Sequence, residues 1–244
     1  IMAKDIVLLK RAVSILQLFK SSPGVLDFNA ILDEMWSITK QEMDFMTEAE
    51  HIDEFRRLNS DEAFIDCPYV KHELTTARVL AMEYIDGIRI DEIDKLKSKG
   101  YNVEELCFRL GQNYVKQIVD DGYFHADPHP GNIWIKNGKI IWLDLGMMGR
   151  LSTKERDALK RAVFSLVQHD TYEMKNAVLT LGKPQAKLNH ISLYEDIDTL
   201  MNRYGDANFQ TLKLSELAHD IITVSRKHKI AINPGLSMFA RGVV

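Results

Sequence analysis

No stretch of this chain is apolar for long enough to cross a bilayer, and it opens with no secretory leader. Cysteine is almost missing: Cys67 and Cys107 are the only two and form no C-x-x-C pair. That excludes a disulfide framework and fits a reduced, cytoplasmic setting. Neither sign of charge prevails, with 31 basic against 35 acidic residues and a net charge of −4. A chain so balanced carries no electrostatic footprint for wholesale nucleic-acid binding, so no nucleic-acid partner is expected. Internal repeats and low-complexity tracts are absent too. What remains is an ordinary globular composition over 244 residues, 45% hydrophobic and 27% charged, enough for one large domain or two small ones. The chain starts on Ile1 and closes on Gly242-Val243-Val244, the ends expected of a piece excised from a longer protein. The lack of membrane segments here then says nothing about the parent.

The most informative stretch runs from Gly122 to Arg150. Asp127 sits in a tight loop between His125 and Pro128, and Asn132 follows five positions later. Ile133-Trp134-Ile135 and Ile140-Ile141-Trp142-Leu143 flank the turn Lys136-Asn137-Gly138-Lys139. Asn-Gly favours a tight hairpin turn, so a β-hairpin should bring Asn132 beside Asp144 of Asp144-Leu145-Gly146. The order H-x-D, four residues, N, then D-x-G is the spacing of a kinase catalytic loop and metal-binding motif. In that reading Asp127 orients an acceptor hydroxyl or water. Asn132 and Asp144 offer hard oxygen ligands suited to Mg²⁺ against a nucleotide triphosphate. The plain alternative is a polar loop capping a hairpin. It serves for one Asp, but not for four ordered elements at this spacing.

Residues 3–20 place Ile6, Leu9, Val13, Leu16 and Phe19 at helical spacing, and a second amphipathic segment carries Ile31, Leu32, Met35, Trp36 and Ile38. A charged helix follows from Gln41 to about Leu58, with Phe45, Ala49, Ile52 and Phe55 as its buried stripe and acidic residues in its first turns. Glu48 is its candidate for an ion pair with a phosphate-gripping lysine. Residues 68–74 and 77–84 read as two strands joined near Thr75-Thr76. The second ends in Met82-Glu83-Tyr84, like a hinge whose backbone meets an adenine edge. Beyond this, helices are expected at 90–99, 103–121, 152–169, 171–181, 191–204 and 214–229, with another after Pro234. Ser152 and Glu155 have capping-box spacing. No A-P-E follows Asp-Leu-Gly, so the segment that docks peptides in ordinary protein kinases is not visible.

Taken together these motifs resemble the UbiB/ADCK family of atypical kinase-like proteins, over a span from about Asp5 to the C-terminus. The sharpest parts are Glu42-Met43-Asp44-Phe45 with Glu48-Ala49, Thr76-Ala77-Arg78-Val79-Leu80-Ala81-Met82-Glu83, His125-Ala126-Asp127-Pro128-His129-Pro130-Gly131-Asn132, and Leu143-Asp144-Leu145-Gly146. The resemblance implies an α+β, mostly helical, kinase-like fold. Residues 1–86 would form a partial N-lobe of helices and a two-stranded hairpin, and residues 87–244 a helical C-lobe. It implies Mg-ATP as cofactor, ATPase activity, and a link to ubiquinone or other isoprenoid-lipid metabolism at membranes through the parent. It assigns Asp127 as the catalytic Asp, Glu48 as the ion-pairing Glu, His125 as the loop brace, Asn132 and Asp144 as metal ligands, Glu83 and Tyr84 as hinge, and Glu42 and Asp44 as an E-x-D pair shaping the nucleotide site.

The family's K-x-G-Q helix, alanine-rich loop and strand lysine are not found in the sequence. This piece is therefore expected to fold around its helical part and to hydrolyse ATP very weakly. Three rivals stand beside this reading. A small-molecule phosphotransferase of the aminoglycoside or choline kinase type carries a similar H-x-D-x-H-P-G-N loop. A non-catalytic scaffold would not need Asp127, Asn132 and Asp144 together. A metal hydrolase could be built on His125, Asp127 and His129.

Overall fold

The computed structural model describes residues 44–204 and 214–232. The two helices expected before residue 41, Glu42, and the segment after Pro234 lie outside the described residues. Helix α1 spans Phe45–Leu58, capped at its N-terminus by the Asp44 side chain, which accepts from the Met46 N–H. Its buried stripe is Ala49, Ile52 and Phe55. Phe45, expected to be part of that stripe, is only half-buried.

The hairpin forms with the register that Asn-Gly predicts. Strand β4 (Ile133–Lys136) pairs antiparallel with β5 (Lys139–Trp142), Ile133 opposite Trp142 and Lys136 opposite Lys139. Asn137 and Gly138 both have positive φ, at 52° and 78°, as a two-residue primed turn requires. Two short strands extend this sheet: β1 (Ile65–Asp66) runs parallel to β5, and β2 (Ile88–Arg89) antiparallel to β4. The main core fills the space between this sheet and α1, with Phe55, Ile52, Ile135, Ile140, Trp142 and Leu145 among its members.

The strand pair expected over residues 68–84 forms only in part: the Lys71 N–H donates to the Ala81 carbonyl and the Glu83 N–H to the Tyr69 carbonyl, both at 2.8 Å. Single bridges pair Val70 with Met82 and Thr76 with Val79, and His72–Leu74 coil into a 3₁₀ turn. The chain reverses at Thr76–Val79 rather than at Thr75-Thr76. Thr75 explains this. Its hydroxyl donates to the Lys71 carbonyl at 2.9 Å and accepts from the Ala81 N–H at 3.2 Å. The side chain thus takes over bonds a ladder would have made.

After the short α2 (Ile93–Ser98), helix α3 (Val103–Lys116) buries Leu106 and Asn113, then continues as a π-helical turn over Gln117–Asp121. Gly122, at φ 63°, ends it. Strand β3 (Tyr123–His125) pairs antiparallel with β6 (Met148–Arg150), a pairing that encloses the whole of 126–147. Helices α4 (Thr153–Gln168), α5 (Thr171–Leu181), α6 (His190–Tyr204) and α7 (Leu214–Lys227) follow, within a residue or two of expectation, and share a second core. Both halves of the Ser152–Glu155 capping box are present. Strands β7 (Gly182–Pro184) and β8 (Ile230–Ile232), which no periodicity announced, pair across the base of these helices.

Gly149 has no room for a side chain. A Cβ there would lie 2.3 Å from the ring of the fully buried Phe124, its register partner. Gly149→Ala should cost about 1–3 kcal/mol by overpacking, read as a lowered urea midpoint at unchanged slope.

Candidate active site

The loop between β3 and β4 is organised by His125, which is fully buried. The Asp127 backbone N–H donates to its Nδ1 at 3.1 Å, and its Nε2 faces the Leu143 carbonyl at 3.3 Å. Nδ1 must therefore be the bare nitrogen and Nε2 the N–H donor, so the ring is neutral. Burial lowers its pKa, in agreement with that assignment. Both ring nitrogens are used, so His125 is not available as a metal ligand. Among the described residues no three His, Cys, Asp or Glu side chains gather as a metal cluster. This geometry gives no support to a hydrolase centre on His125, Asp127 and His129. His129 instead accepts from the Gly131 N–H at 3.0 Å, with its Nε2 3.8 Å from Asp127 Oδ2.

Asn132 is held by its own amide. Its Nδ2 donates to the Asp127 carbonyl at 3.3 Å, and its carbonyl accepts from the Leu143 N–H at 2.8 Å. The hairpin thus sets Asn132 at its open end across from Leu143, with Asp144 next along. Asp144 is a non-glycine residue at φ 49°. Such left-handed positions are uncommon and gather at functional sites.

Asp127, Asn132 and Asp144 line one cavity of about 890 Å³, together with Glu48, His125, Arg78 and Met82, a size in the range of small-ligand sites. Glu48 enters from α1, near Asp144. Burial first, and then the Asp144 charge, push its carboxyl up to about 7. A second tie joins α1 to this motif: His51 Nδ1 donates to the Leu145 carbonyl at 2.9 Å, and burial lowers the His51 pKa.

Other expected site residues are placed elsewhere. Tyr84 is 85% exposed and Glu83 pairs with Lys136 at 2.9 Å; neither lines the cavity, whereas Met82 does. The lysine partner first holds the Glu83 carboxyl below the usual range. Asp44 caps α1 and does not line the cavity either. Sequence reasoning passed over Arg78 as a site residue, although it stands inside the Thr76–Leu80 motif, and over His51 and Phe45, which only the approach of α1 brings in.

The ABC1 atypical kinase-like domain matches residues 1–178. The chain belongs to the ABC1 atypical kinase-like family. An ABC1 relative from Clostridium pasteurianum, described as an uncharacterized protein in the hydrogenase 1 5' region, is 33% identical over 243 residues, covering 100% of this chain and 46% of its own length. The chloroplastic protein ACTIVITY OF BC1 COMPLEX KINASE 8 of Arabidopsis thaliana is 36% identical over 166 residues, 67% of this chain and 22% of that one. The chain thus spans less than half the length of these ABC1 relatives. The solved Rv3197–erythromycin complex of Mycobacterium tuberculosis superposes with a TM-score of 0.55 at 22% identity, over 83% of this chain and 50% of that one. That likeness establishes the α+β, kinase-like fold. Among the described residues no helix is long and apolar enough to cross a membrane.

The raised Glu48 carboxyl has a consequence for stability. Its folded pKa of about 7 exceeds the ordinary 4.5, so the folded chain favours its protonated form. Below about 4.5 neither state is charged and the group is neutral to stability. As pH rises from there to about 7 its ionisation is progressively disfavoured in the fold, and stability falls. Without metal, Glu48→Gln should leave the melting temperature near wild type at about pH 4.5 and raise it by a few °C at about pH 8. Scanning calorimetry across that range checks this.

Proposed function

We propose that this chain is the nucleotide-handling core of an atypical kinase or ATPase of UbiB type, acting on Mg-ATP. The observation that carries the reading is the convergence of Asp127, Asn132 and Asp144 on one cavity. All three present oxygen, the donor that Mg²⁺ prefers. Asn132 has its N–H committed to the loop, so its Oδ1 is what it offers. The carboxylates of Glu48 and Asp144 face one another without a matching lysine among the described cavity residues, a charge balance that favours a bound cation. Bound there, Mg²⁺ would neutralise phosphate charge and orient the triphosphate.

The chain's own residues supply the rest. Asp127 is exposed at the cavity mouth, placed to orient an acceptor hydroxyl or water, and the neutral His125 holds its backbone. Arg78, an exposed cation of the lining, is suited to phosphate oxygens. Met82 lines the cavity, so its backbone would meet an adenine there, and the Glu83 and Tyr84 side chains would not. The division into a covering part, 1–86, and a helical catalytic part, 87–244, follows from this reading. So does weak turnover in the 244-residue chain, since Glu48 finds no cation among the described residues. An isoprenoid-lipid or ubiquinone connection, with membrane association of the parent, rests on the resemblance to the UbiB/ADCK family.

Equilibrium binding of ATP, with and without Mg²⁺, tests the assignment. Asp144→Asn should remove the Mg²⁺-dependent part of the affinity. Asp127→Asn should leave binding within a few-fold and lower turnover by roughly 10²–10⁴. Arg78→Ala should weaken nucleotide binding by roughly tenfold. Nucleotide binding indifferent to Mg²⁺, to Asp144→Asn and to Arg78→Ala would overturn the proposal.

A further inference from the structure

Asn59, Asn113 and Gln117 are 5%, 2% and 0% exposed, and their amides form one continuous chain of hydrogen bonds. The His125 backbone N–H donates to Gln117 Oε1 at 3.0 Å, and Gln117 Nε2 donates to Asn113 Oδ1 at 2.8 Å. Asn113 Nδ2 then donates to Asn59 Oδ1 at 2.7 Å, and Asn59 Nδ2 to the Phe55 carbonyl at 2.9 Å. The Trp142 indole N–H donates to the same Asn113 oxygen at 3.1 Å. Every donor points the same way, so the dipoles reinforce each other in the dry interior. Leucine or methionine could fill this volume, but would leave the buried His125 backbone N–H and Trp142 indole N–H without acceptors.

The backbone is adapted to the chain of bonds. Gln117 opens the π-helical turn that ends α3, and such turns often mark functional sites. The far end reaches α1 at the Phe55 carbonyl, and α1 carries Glu48 to the cavity and His51 to the Leu145 carbonyl. The bonds therefore close a ring. It runs from α1 through Asn59, Asn113 and Gln117 to His125, across the imidazole to Leu143, along the chain to Leu145, and back to α1 through His51.

We propose that Asn59, Asn113 and Gln117 are positioning residues that lock the catalytic loop to helix α1. A displacement of α1 is felt at Asp127 through His125. The consequence for catalysis rests on the function proposed above; the mechanical link does not.

The test compares Asn59→Leu with Lys116→Met in the full chain. Lys116 also ties α1 to the π-turn, through Leu58 O at 2.8 Å, but stands outside the amide chain. Native-state hydrogen exchange of residues 125–132 is the first measurement. Asn59→Leu should speed exchange there tenfold or more, with α5 and α6 unchanged, and Lys116→Met should not. Turnover is the second: Asn59→Leu should lower kcat about tenfold while KM for ATP stays within twofold. Loop exchange at the wild-type rate, or an equal rise throughout the chain or in Lys116→Met, would overturn the link. If Asn59→Leu fails to fold, Gln117→Met makes the same comparison from the other end. A wild-type chain with no turnover would count against the proposed function alone, and exchange would then decide the link by itself.

Discussion

A buried, neutral imidazole governs this site. His125 has lost its water and must spend both ring nitrogens on backbone groups, one on the amide of Asp127 and one on the carbonyl of Leu143. Leaving either group unpaired in the interior would cost about 1–3 kcal/mol. The requirement fixes two segments 18 residues apart with respect to one another. One bears Asp127, the other leads into the left-handed Asp144. Protonation of the ring would break the arrangement, since a charged imidazole can only donate. Burial opposes that protonation.

The surrounding structure serves this junction. The β4–β5 hairpin returns the chain so that Asn132 and Leu143 bond directly. The β3–β6 pair closes the loop from outside, packed so tightly that residue 149 can bear no side chain. Helix α1 then lies across the open side and adds an acid that no described cation balances. Together these give the ABC1 atypical kinase-like domain a cavity rich in oxygen and poor in positive charge.

How much of this could be read in advance differs from element to element. The α4 cap, the helices that follow it and the Asn-Gly hairpin were all legible, because each depends on contacts within a few residues. That Asn132 and Asp144 come together was legible for the same reason, their spacing being set by the hairpin. The pair expected at 68–84 keeps its antiparallel bonds over 69–71 and 81–83 but is interrupted beyond them, because Thr75 competes for ladder bonds with its own hydroxyl. The π-turn, β3–β6 and β7–β8 left no periodic trace, being short and fixed by partners far along the chain. Glu83 and Tyr84 carry a hinge-like pattern, yet their side chains turn to Lys136 and to solvent.

The sequence by itself determined the helices of the second half, the hairpin register, and which oxygen-bearing side chains stand at kinase spacing. These follow from local periodicity, turn chemistry and caps. Only the tertiary structure decided that Glu48 faces Asp144, that His125 is neutral with a defined tautomer, and that three buried amides run from α1 to the catalytic loop. Those outcomes depend on which groups lose water together. Desolvation is a property of the packed interior, and residues tens of positions apart in the chain settle it jointly.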